Sequence, residues 1–359
     1  MSQRIPVGVL GATGTVGQKF IRLLADHPWF EIAAVAASSS SAGRQYGEVV
    51  RWRETVPLPA SVARLVIREC VPPLPAQIVF SALDAEVAGS IEQEFARAGA
   101  LVVTNARTHR MEADVPLLIP EINAGHLALI DRQRKERGWQ GAILANPNCS
   151  TAALALALAP LHRAFTVERL FVSTMQAVSG AGYPGVASLD IVGNVIPHIG
   201  GEEEKIERES RKVLGALSGG LVQPAEFAVS AHTNRVAVVD GHMMTVSVGF
   251  SRRISPDEAV SVLREFRGPA CVTELPSSPK PPIEVDDRLD RPQPRLDLDR
   301  GRGMAVTVGR VRPCPILDLR LVALGHNTVR GAAGQAVQIA ELLVAEGRVE
   351  REAGSGHAS

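Results

Sequence analysis

The sequence predicts an α/β fold in which a doubly wound parallel sheet is followed by an α+β domain. Strand-like apolar runs alternate with helical patterns as far as Cys149, which is typical of a parallel sheet. A glycine-rich turn joins the first strand to the first helix, as in sheets that bind nucleotides. After Cys149 the patterning becomes mixed, and this change indicates a second domain.

The elements of the first domain follow from short apolar runs and helical periodicity. The predicted buried strands span 5–10, 31–37, 77–82, 100–104 and 142–145, and the predicted helices span 14–26 and 85–98. In the second part we expect a helix over 150–161, strands over 169–176, 227–239, 243–250 and 319–324, and a last helix over 328–345. These patterns predict a nucleotide-binding domain over 1–148, completed by 327–347, a second domain over 149–326, and a disordered tail over 348–359.

Composition excludes several classes of partner. The 359 residues are enough for two domains, and 38 basic residues balance 38 acidic ones. With no net charge, no global field attracts nucleic acid or an anionic membrane. Four cysteines without a CxxC pair argue against a metal site and a disulfide scaffold. The start of the chain has no signal-peptide pattern, and no apolar run is long enough to span a bilayer. We therefore expect a reduced, cytoplasmic protein that acts on small molecules.

The glycine turn and the end of the second predicted strand indicate a dinucleotide site. Gly11, Gly14 and Gly17 permit a tight turn that brings a pyrophosphate to the start of the first helix. The second strand ends in four serines, 38–41, without the acidic residue that usually binds the ribose of NAD. Hydroxyls without a carboxylate suit a 2′-phosphate, so NADP is favoured. The alternatives are a glycine-rich connector without a ligand and a plain serine loop.

Cys149 is the candidate nucleophile. It follows the predicted strand 142–145 and opens an apolar helix, where backbone N–H groups and the helix dipole favour a thiolate. We expect the same N–H groups to receive the oxyanion of a tetrahedral intermediate. The alternative is a small buried residue at a helix start. Cys70, Cys271 and Cys314 lack a comparable context, and for them that interpretation is preferred.

Several motifs, in order, resemble the aspartate-semialdehyde dehydrogenase family, particularly its archaeal and fungal type. They are GATGTVG, NPNCST, TMQAVSGAGYPG, NVIPHIGGEEEKI, NRVAVVDGH and HNTVRGAAG, and the resemblance covers about residues 5–347. It implies a Rossmann-type domain, a catalytic and dimerisation domain of α+β type, and a homodimer or homotetramer. The implied reaction is the NADPH-dependent reduction of β-aspartyl phosphate to aspartate semialdehyde, in the biosynthesis of lysine, methionine and threonine.

The resemblance also implies roles for residues that match the motifs. Cys149 would carry a thioester, His242 would be the general acid/base, and Gln176 would orient the substrate. The implied substrate- and phosphate-binding residues are Arg235, Arg110, Asn148, Glu202 and Lys205. The implied cofactor-binding residues are Gly11, Thr13, Gly14, Thr15, Val16, Gly17, Ser38, Ser40, Ser41, Ser81, Ser179, Gly180 and Asn327.

Two positions depart from the family pattern. The family segment AS-x-RSAG reads ASSSSAG here, so Ser40 stands where an arginine often meets the 2′-phosphate, and Arg44 is a candidate replacement. The residue before the NRV segment is Thr233, where the family usually has cysteine. The first departure weakens the NADP prediction without reversing it.

Arg235 and His242 can be related by strand geometry. If Asp240 and Gly241 form a two-residue hairpin turn, Val239 pairs with His242, and Arg235 then shares a face with His242 about 13 Å away. The alternative for both residues is an ordinary position on the surface. For Glu202 and Lys205, three apart on a predicted helix, the alternative is a solvated charge run.

Other activities remain open at this point. Malonyl-CoA reductases resemble the same family and would keep most of the motifs, while N-acetyl-glutamyl-phosphate reductases share the layout but match the motifs less well. A third alternative is a non-catalytic nucleotide-binding sensor with Cys149 as a redox switch. Such a sensor would not need Arg235, Gln176 and His242.

Overall fold

The computed structural model describes residues 4–349, and residues 350–359 of the tail predicted over 348–359 lie outside them. The strands are β1 Ile5–Leu10, β2 Phe30–Ala37, β3 Arg68–Glu69, β4 Ile78–Ser81, β5 Leu101–Thr104, β6 Ala142–Ala145, β7 Val167–Gln176, β8 Ala216–Ser218, β9 Leu221–Gln223, β10 Ala228–Arg235, β11 His242–Phe250, β12 Ile283–Asp286, β13 Val306–Pro313 and β14 Leu319–Gly325. The helices are α1 Thr15–Leu24, α2 Tyr46–Val49, α3 Ala60–Ala63, α4 Ala85–Arg97, α5 Pro120–Asn123, α6 Leu129–Arg137, α7 Cys149–Phe165, α8 Ser188–Ile191, α9 Glu202–Val213, α10 Pro256–Glu265, α11 Ala270–Thr273, α12 Pro294–Asp297 and α13 Gly334–Ala345. Short 3-10 turns occupy Ala124–Ala128, Val178–Ala181 and Arg300–Gly303, and a π-helical turn occupies Val329–Ala333.

The chain divides into two compact units. Among the described residues, unit 1 comprises 4–116, 128–145 and 336–349, and unit 2 comprises 117–127 and 146–335. Most of α13 therefore belongs to unit 1, although the rest of the late chain belongs to unit 2. Inside unit 1, the buried carboxylate of Glu341 on α13 accepts a hydrogen bond from His27 at 2.7 Å.

Unit 1 is built on a six-stranded sheet with the order β3-β2-β1-β4-β5-β6, and each pair within it is parallel. This is the order of doubly wound nucleotide-binding sheets. The central strands β1, β4 and β5 are almost wholly buried, because side chains on both of their faces are apolar. The predicted parallel sheet is confirmed, and the predicted strands agree with the observed ones to within one residue at each end.

Unit 2 contains a mixed six-stranded sheet with the order β10-β7-β11-β14-β13-β12. The apolar helix α7 is its central element, since nearly all of its side chains from Ser150 to Leu161 are buried. It packs against several strands of the sheet and against α9 and α10. This arrangement confirms the predicted α+β domain and places the first residue of α7, Cys149, inside the unit.

The predicted Asp240-Gly241 hairpin is wrong. Strand β7 lies between β10 and β11, parallel to the first and antiparallel to the second. The chain therefore crosses the end of β7 to reach β11, and residues 236–239 hydrogen-bond to 176–179 instead of to β11. For that reason β10 ends at Arg235, four residues before the predicted end.

Among the described residues, no helix combines the length and the apolar character needed to cross a membrane.

Candidate active site

The local sequence explains how α7 begins. Asn148 is its N-cap, and the side-chain oxygen accepts hydrogen bonds from the backbone N–H groups of Ser150 and Thr151 at 3.0 and 3.2 Å. Asparagine is favoured at this position because it satisfies donors that the helix leaves unpaired. Cys149 is the next residue and is partly exposed. The expectation that these N–H groups bind an oxyanion is therefore wrong for Ser150 and Thr151, since both already donate to the side-chain oxygen of Asn148.

A tight turn packs against Cys149. A Cβ atom on Gly331 would lie 2.5 Å from the Cβ of Cys149, so only glycine fits there. Gly331 lies in the π-helical turn Val329–Ala333, a kind of turn that is frequent at functional sites. The turn is anchored by Arg330, which is fully buried and donates to both carboxylate oxygens of Glu121 at 3.1 and 2.6 Å.

Three polar residues form a row across the sheet beside α7. Arg235 on β10 pairs with Gln176 on β7, and because Met243 pairs with Met175, His242 lies opposite Gln176 on the other side. Arg235 and His242 are thus separated by two strand spacings, about 10 Å between Cα atoms. Their side chains converge, since a Cβ atom on Gly180 would lie 2.8 Å from Nη1 of Arg235 and 3.0 Å from Nε2 of His242. The two residues share a face as predicted, but they do so through β7 and not through a hairpin.

His242 is a neutral imidazole. Its Nδ1 accepts the backbone N–H of Ala177 at 3.1 Å, so the ring proton is on Nε2. Complete burial, together with the nearby charge of Arg235, lowers the pKa of His242 to about 3. Nε2 has no hydrogen-bond partner among the described residues. The site therefore offers one buried donor toward Gly180.

Arg235 is a buried cation without a carboxylate partner. Only 6% of it is exposed, its Nη1 donates to the carbonyl of Ala177 at 2.7 Å, and no ion pair involves it among the described residues. Burial lowers the pKa of the guanidinium, while the charges of Cys149 and Glu202 raise it. Those charges act on Arg235 because both groups are near. A buried guanidinium in this setting is suited to an anionic ligand.

Glu202 links the row to the helix start. Its Oε2 accepts from Asn148 at 2.8 Å and from Gln176 at 3.3 Å, and its Oε1 forms an ion pair with Lys205 at 2.6 Å. Burial raises the pKa of Glu202, but Lys205, Asn148 and Gln176 together lower it below its ordinary value. Glu202 is buried and Lys205 is half-buried, so the interpretation of this charge run as solvated surface is wrong for Glu202.

The glycine turn of unit 1 fits a pyrophosphate. Gly11 has φ +68°, and a Cβ atom there would lie 2.5 Å from the carbonyl oxygen of Ala82. A Cβ on Gly17 would lie 2.3 Å from the carbonyl oxygen of Gly11. Gly14 caps α1 without a side chain, so no side-chain oxygen of the cap competes for the first N–H groups. The other residues predicted in this turn are Thr13, Thr15 and Val16.

The serines predicted to contact the cofactor differ in their surroundings. Ser38 and Ser40 are exposed after β2, and their hydroxyl oxygens lie 2.9 Å apart. Ser81 is different, because its hydroxyl donates to the buried carboxylate of Glu92 at 2.6 Å. The hydroxyl of Ser81 is thus engaged inside unit 1.

The remaining predicted residues are divided between the units. In unit 2, Asn327 donates to the hydroxyl of Ser179 at 2.7 Å and accepts the backbone N–H of Gly241 at 2.8 Å, so Ser179, Gly180 and Asn327 lie together. In unit 1, Arg110 is buried, and its Nη2 donates to the carbonyl of Asn105 at 2.8 Å.

Two family models match most of the chain. One, described as semialdehyde dehydrogenase, NAD binding domain, matches residues 6–130, and the other, described as semialdehyde dehydrogenase, dimerisation domain, matches residues 158–330. An aspartate-semialdehyde dehydrogenase from Methanothermobacter thermautotrophicus is 50% identical over 343 residues, covering 94% of this chain and 99% of the relative. The chain belongs to the aspartate-semialdehyde dehydrogenase family.

Relatives in this family include fungal proteins and solved structures. The aspartate-semialdehyde dehydrogenase of Saccharomyces cerevisiae is 46% identical over 354 residues, covering 94% of this chain and 97% of the relative. The crystal structure of the Candida albicans enzyme with NADP matches with a TM-score of 0.89 and 43% identity, covering 96% of this chain and all of that chain. A Vibrio cholerae enzyme complexed with ASA matches with a TM-score of 0.75 and 26% identity, over 96% of this chain and 99% of that one. The predicted resemblance to the archaeal and fungal type is confirmed.

Helix α9 has two features that were not predicted from the sequence. Glu209 is buried and accepts the backbone N–H of Asn148 at 2.6 Å. Glu203 and Glu207 accept backbone N–H groups of β10, an edge strand, and so cover part of that edge. A helical signal was present, since the buried positions 202, 206, 209 and 213 recur at intervals of four, three and four.

Proposed function

We propose that the chain is an NADP-dependent aspartate-semialdehyde dehydrogenase that reduces β-aspartyl phosphate to aspartate semialdehyde through a thioester on Cys149. The observation that carries this proposal is the buried guanidinium of Arg235, which has no described carboxylate partner and lies in register with Gln176 and His242. A substrate carboxylate would neutralise this cation, and its absence would leave the charge buried and unpaired. The nearby Cys149 then supplies the covalent chemistry.

The substrate would lie between the start of α7 and the row of polar side chains. We assign its carboxylate to Arg235, whose planar guanidinium can donate hydrogen bonds to both carboxylate oxygens. The phosphate is assigned to Lys205 and the remaining amide hydrogen of Asn148, and the phosphate-binding role that the resemblance implies for Arg110 stays a prediction. Gln176, which is already fixed by Glu202, would orient the acyl group toward the thiol.

The reaction follows from the thiolate and the imidazole. The Cys149 thiolate attacks the acyl carbon, the bond to phosphate breaks, and a thioester remains on Sγ. NADPH, when bound, supplies the hydride that reduces this thioester. The Nε2–H of His242 donates to the oxygen that becomes negative in the tetrahedral intermediate, because the N–H groups of Ser150 and Thr151 are already used. Collapse of the intermediate breaks the bond from carbon to sulfur, returns the thiolate and releases the aldehyde.

A neutral His242 suits this role. An imidazole that was already charged would add a second cation beside Arg235 before the oxyanion had formed. With its low pKa the ring stays neutral at working pH, donates a hydrogen bond to the developing charge, and keeps its proton on Nε2 when the intermediate collapses. We therefore propose a hydrogen-bond donor in place of the general acid/base that the resemblance implies for His242.

The cofactor assignment rests on the glycine turn and the serines after β2. Hydroxyls can bind a 2′-phosphate, and no acidic residue lies among the serines 38–41 to repel it. The Candida albicans relative was solved with NADP, which supports the same choice. Arg44 is exposed and close in sequence, and we propose that it takes the place of the arginine that Ser40 replaces.

The assembly is proposed to be a homodimer or a homotetramer, because residues 158–330 match a domain described by its dimerisation. We also propose that residues 1–148 with 327–347 form the cofactor domain and 149–326 the catalytic domain. The cytoplasmic location inferred from the sequence stays a prediction.

The proposal is tested by assaying the purified protein in the oxidative direction. Aspartate semialdehyde and phosphate are supplied with NADP or NAD, and reduced nicotinamide is followed by absorbance, with Cys149→Ala as control. Phosphate-dependent turnover that the variant lacks supports the proposal, and the rates with the two cofactors give the preference. A folded protein that turns over malonyl-CoA with NADPH, but not aspartate semialdehyde, would instead be a malonyl-CoA reductase. A thiol that oxidises once without any turnover would indicate a sensor.

A further inference from the structure

Helix α9 presents two buried glutamates to the residue that precedes the nucleophile. Glu202 accepts from the side-chain amide of Asn148 at 2.8 Å, and Glu209 accepts the backbone N–H of the same residue at 2.6 Å. The glutamates are seven residues apart, which is about two helical turns, so they lie on one face of α9. Only 2% of Glu209 is exposed, and the mechanism proposed above does not use it.

A buried carboxylate needs a specific reason. Glutamate is almost never fully buried unless charged or polar partners compensate for the loss of hydration. One such partner is the backbone N–H of Asn148, and the side-chain oxygen of Asn148 in turn caps the first turn of α7. Asn148 is thus held by α9 at its main chain and at its side chain, directly before Cys149.

We propose that Glu209 is a positioning residue, whose carboxylate holds the main chain of Asn148 and thereby fixes where α7 places the Cys149 thiol. The hydrogen bond to a carboxylate is short and roughly twice as strong as one between neutral groups, so it suits this purpose. The inference rests on the proposed function, because Cys149 matters only as the nucleophile.

Glu209 also adds a negative charge near the thiol. The titratable and charged side chains around the start of α7 come from α5, α9, β10, β11 and the turn that follows β14. They are Glu121, Glu202, Lys205, Glu209, Arg235, His242, His326 and Arg330. Arg235 and the helix dipole favour the thiolate, whereas Glu209 opposes it. Removing this one charge should make the thiolate form at lower pH.

The experiment compares Glu209→Gln with Glu204→Gln. The first change removes a charge and leaves an oxygen acceptor of similar length at the contact with Asn148. The second removes the same charge from an exposed position on the same helix. Both are made in a background in which the other three cysteines, Cys70, Cys271 and Cys314, are serine, so that iodoacetamide reports on Cys149 alone. The pH dependence of alkylation is measured together with kcat and KM for aspartate semialdehyde.

Two opposite changes are expected in Glu209→Gln. The midpoint of alkylation moves to lower pH, yet kcat falls about ten-fold with little change in KM. The hydrogen bond from Asn148 to a neutral amide is weaker than the one to a carboxylate, so the nucleophile is held less well, and this slows chemistry more than binding. Glu209→Asp restores the charge and returns the midpoint toward that of the parent. Glu204→Gln leaves the midpoint, kcat and KM unchanged.

Several results would overturn the inference. One is a Glu209→Gln variant with the parent's kcat and alkylation midpoint, and another is a fall in kcat that Glu204→Gln shares. A fall in kcat with an unmoved midpoint and a raised KM would indicate general loosening of the unit, and so also contradicts a specific role. If the parent alkylates normally but does not turn over aspartate semialdehyde, the proposed function fails, and the alkylation midpoints still decide whether Glu209 acts on Cys149. If Glu209→Gln does not fold, Glu209→Asp is compared with Glu204→Gln, and an unchanged kcat in it contradicts the proposal.

Discussion

Replacing Gly331 by alanine should disable the nucleophile with little effect on folding. The added Cβ would lie 2.5 Å from the Cβ and 2.8 Å from the Cα of Cys149. Non-bonded carbon atoms prefer separations of about 3.5–4.0 Å, so one of the two segments has to move by roughly 1 Å. Neither contact is the end of a flexible side chain, since both atoms of Cys149 are fixed to the start of α7.

The size of the effect follows from that displacement. Misplacing a reacting group by about 1 Å can cost roughly 100-fold in rate, so kcat should fall by about that factor. Overpacking typically costs about 1–3 kcal/mol of stability, which leaves a protein of this size folded. KM should change less, because Arg235, Gln176 and His242 lie on strands of the sheet and not on α7 or the turn that contains Gly331.

The assay measures kcat and KM with aspartate semialdehyde, the rate of iodoacetamide alkylation of Cys149, and the urea midpoint. Gly125→Ala is the matched control, because no atom lies within 4 Å of a Cβ added there and its φ is not positive. An unchanged kcat in Gly331→Ala, at the same urea midpoint as the control, would refute the argument. It would mean that the turn is not packed against the nucleophile.

Three further predictions concern buried ionisable side chains in unit 2. Arg235→Gln should lower kcat/KM for aspartate semialdehyde about 100-fold or more without lowering the melting temperature, because no described carboxylate loses its partner; a large fall in melting temperature would contradict this. Glu121→Gln should cost about 3–5 kcal/mol in urea unfolding, since the fully buried Arg330 loses its counter-charge, whereas Glu274→Gln in an exposed pair should cost less than about 1 kcal/mol. Burial lowers the pKa of His126 to about 4, so between about pH 6.5 and pH 4 this histidine binds a proton in the unfolded chain but not in the folded one. The free energy of unfolding should therefore fall as pH drops through this range, by about 1 kcal/mol per pH unit. In His126→Asn the urea midpoint should fall less steeply over that range than in the wild type. The same pH dependence of the urea midpoint in both proteins would contradict this prediction.

The sheet of unit 1 could be predicted from sequence because its signals are local. Strands buried on both faces read as continuous apolar runs, and the first glycine turn lies directly between a strand and a helix. The start of α7 could also be predicted from local sequence, since β6 ends at Ala145 and the apolar periodicity begins after Asn148. The predicted helix, 150–161, already includes Pro160, and it ends four residues before the observed end at Phe165.

The errors arose where distant segments determine the outcome. Asp240-Gly241 has the composition of a hairpin turn, but nothing near it in sequence shows that β7 lies between β10 and β11. Arg235 and His242 were predicted correctly to share a face, although the predicted pairing was wrong. Strands β10 and β11 both neighbour β7, so the last residue of β10 and the first residue of β11 lie at the same end of the sheet.

The oxyanion donors expected at the start of α7 illustrate a second kind of error. An asparagine before a helix can bind a ligand or cap the helix, and local sequence does not distinguish these uses. In the structure the side-chain oxygen of Asn148 accepts the N–H groups of Ser150 and Thr151, so these two groups are no longer available to an oxyanion. Glu209 was missed for a similar reason, because in a run of charges the composition indicates surface while the spacing indicates a buried face.

The central claim, that the substrate is carried on Cys149, is tested most directly by trapping the acyl-enzyme. The protein is mixed with aspartate semialdehyde and NADP without phosphate, quenched in acid, and digested for mass spectrometry. We expect one aspartyl group on the peptide that contains Cys149, formed with one equivalent of NADPH and removed when phosphate is added before the quench. Labelling of another residue, or phosphate-dependent turnover in Cys149→Ser equal to that of the wild type, would contradict it.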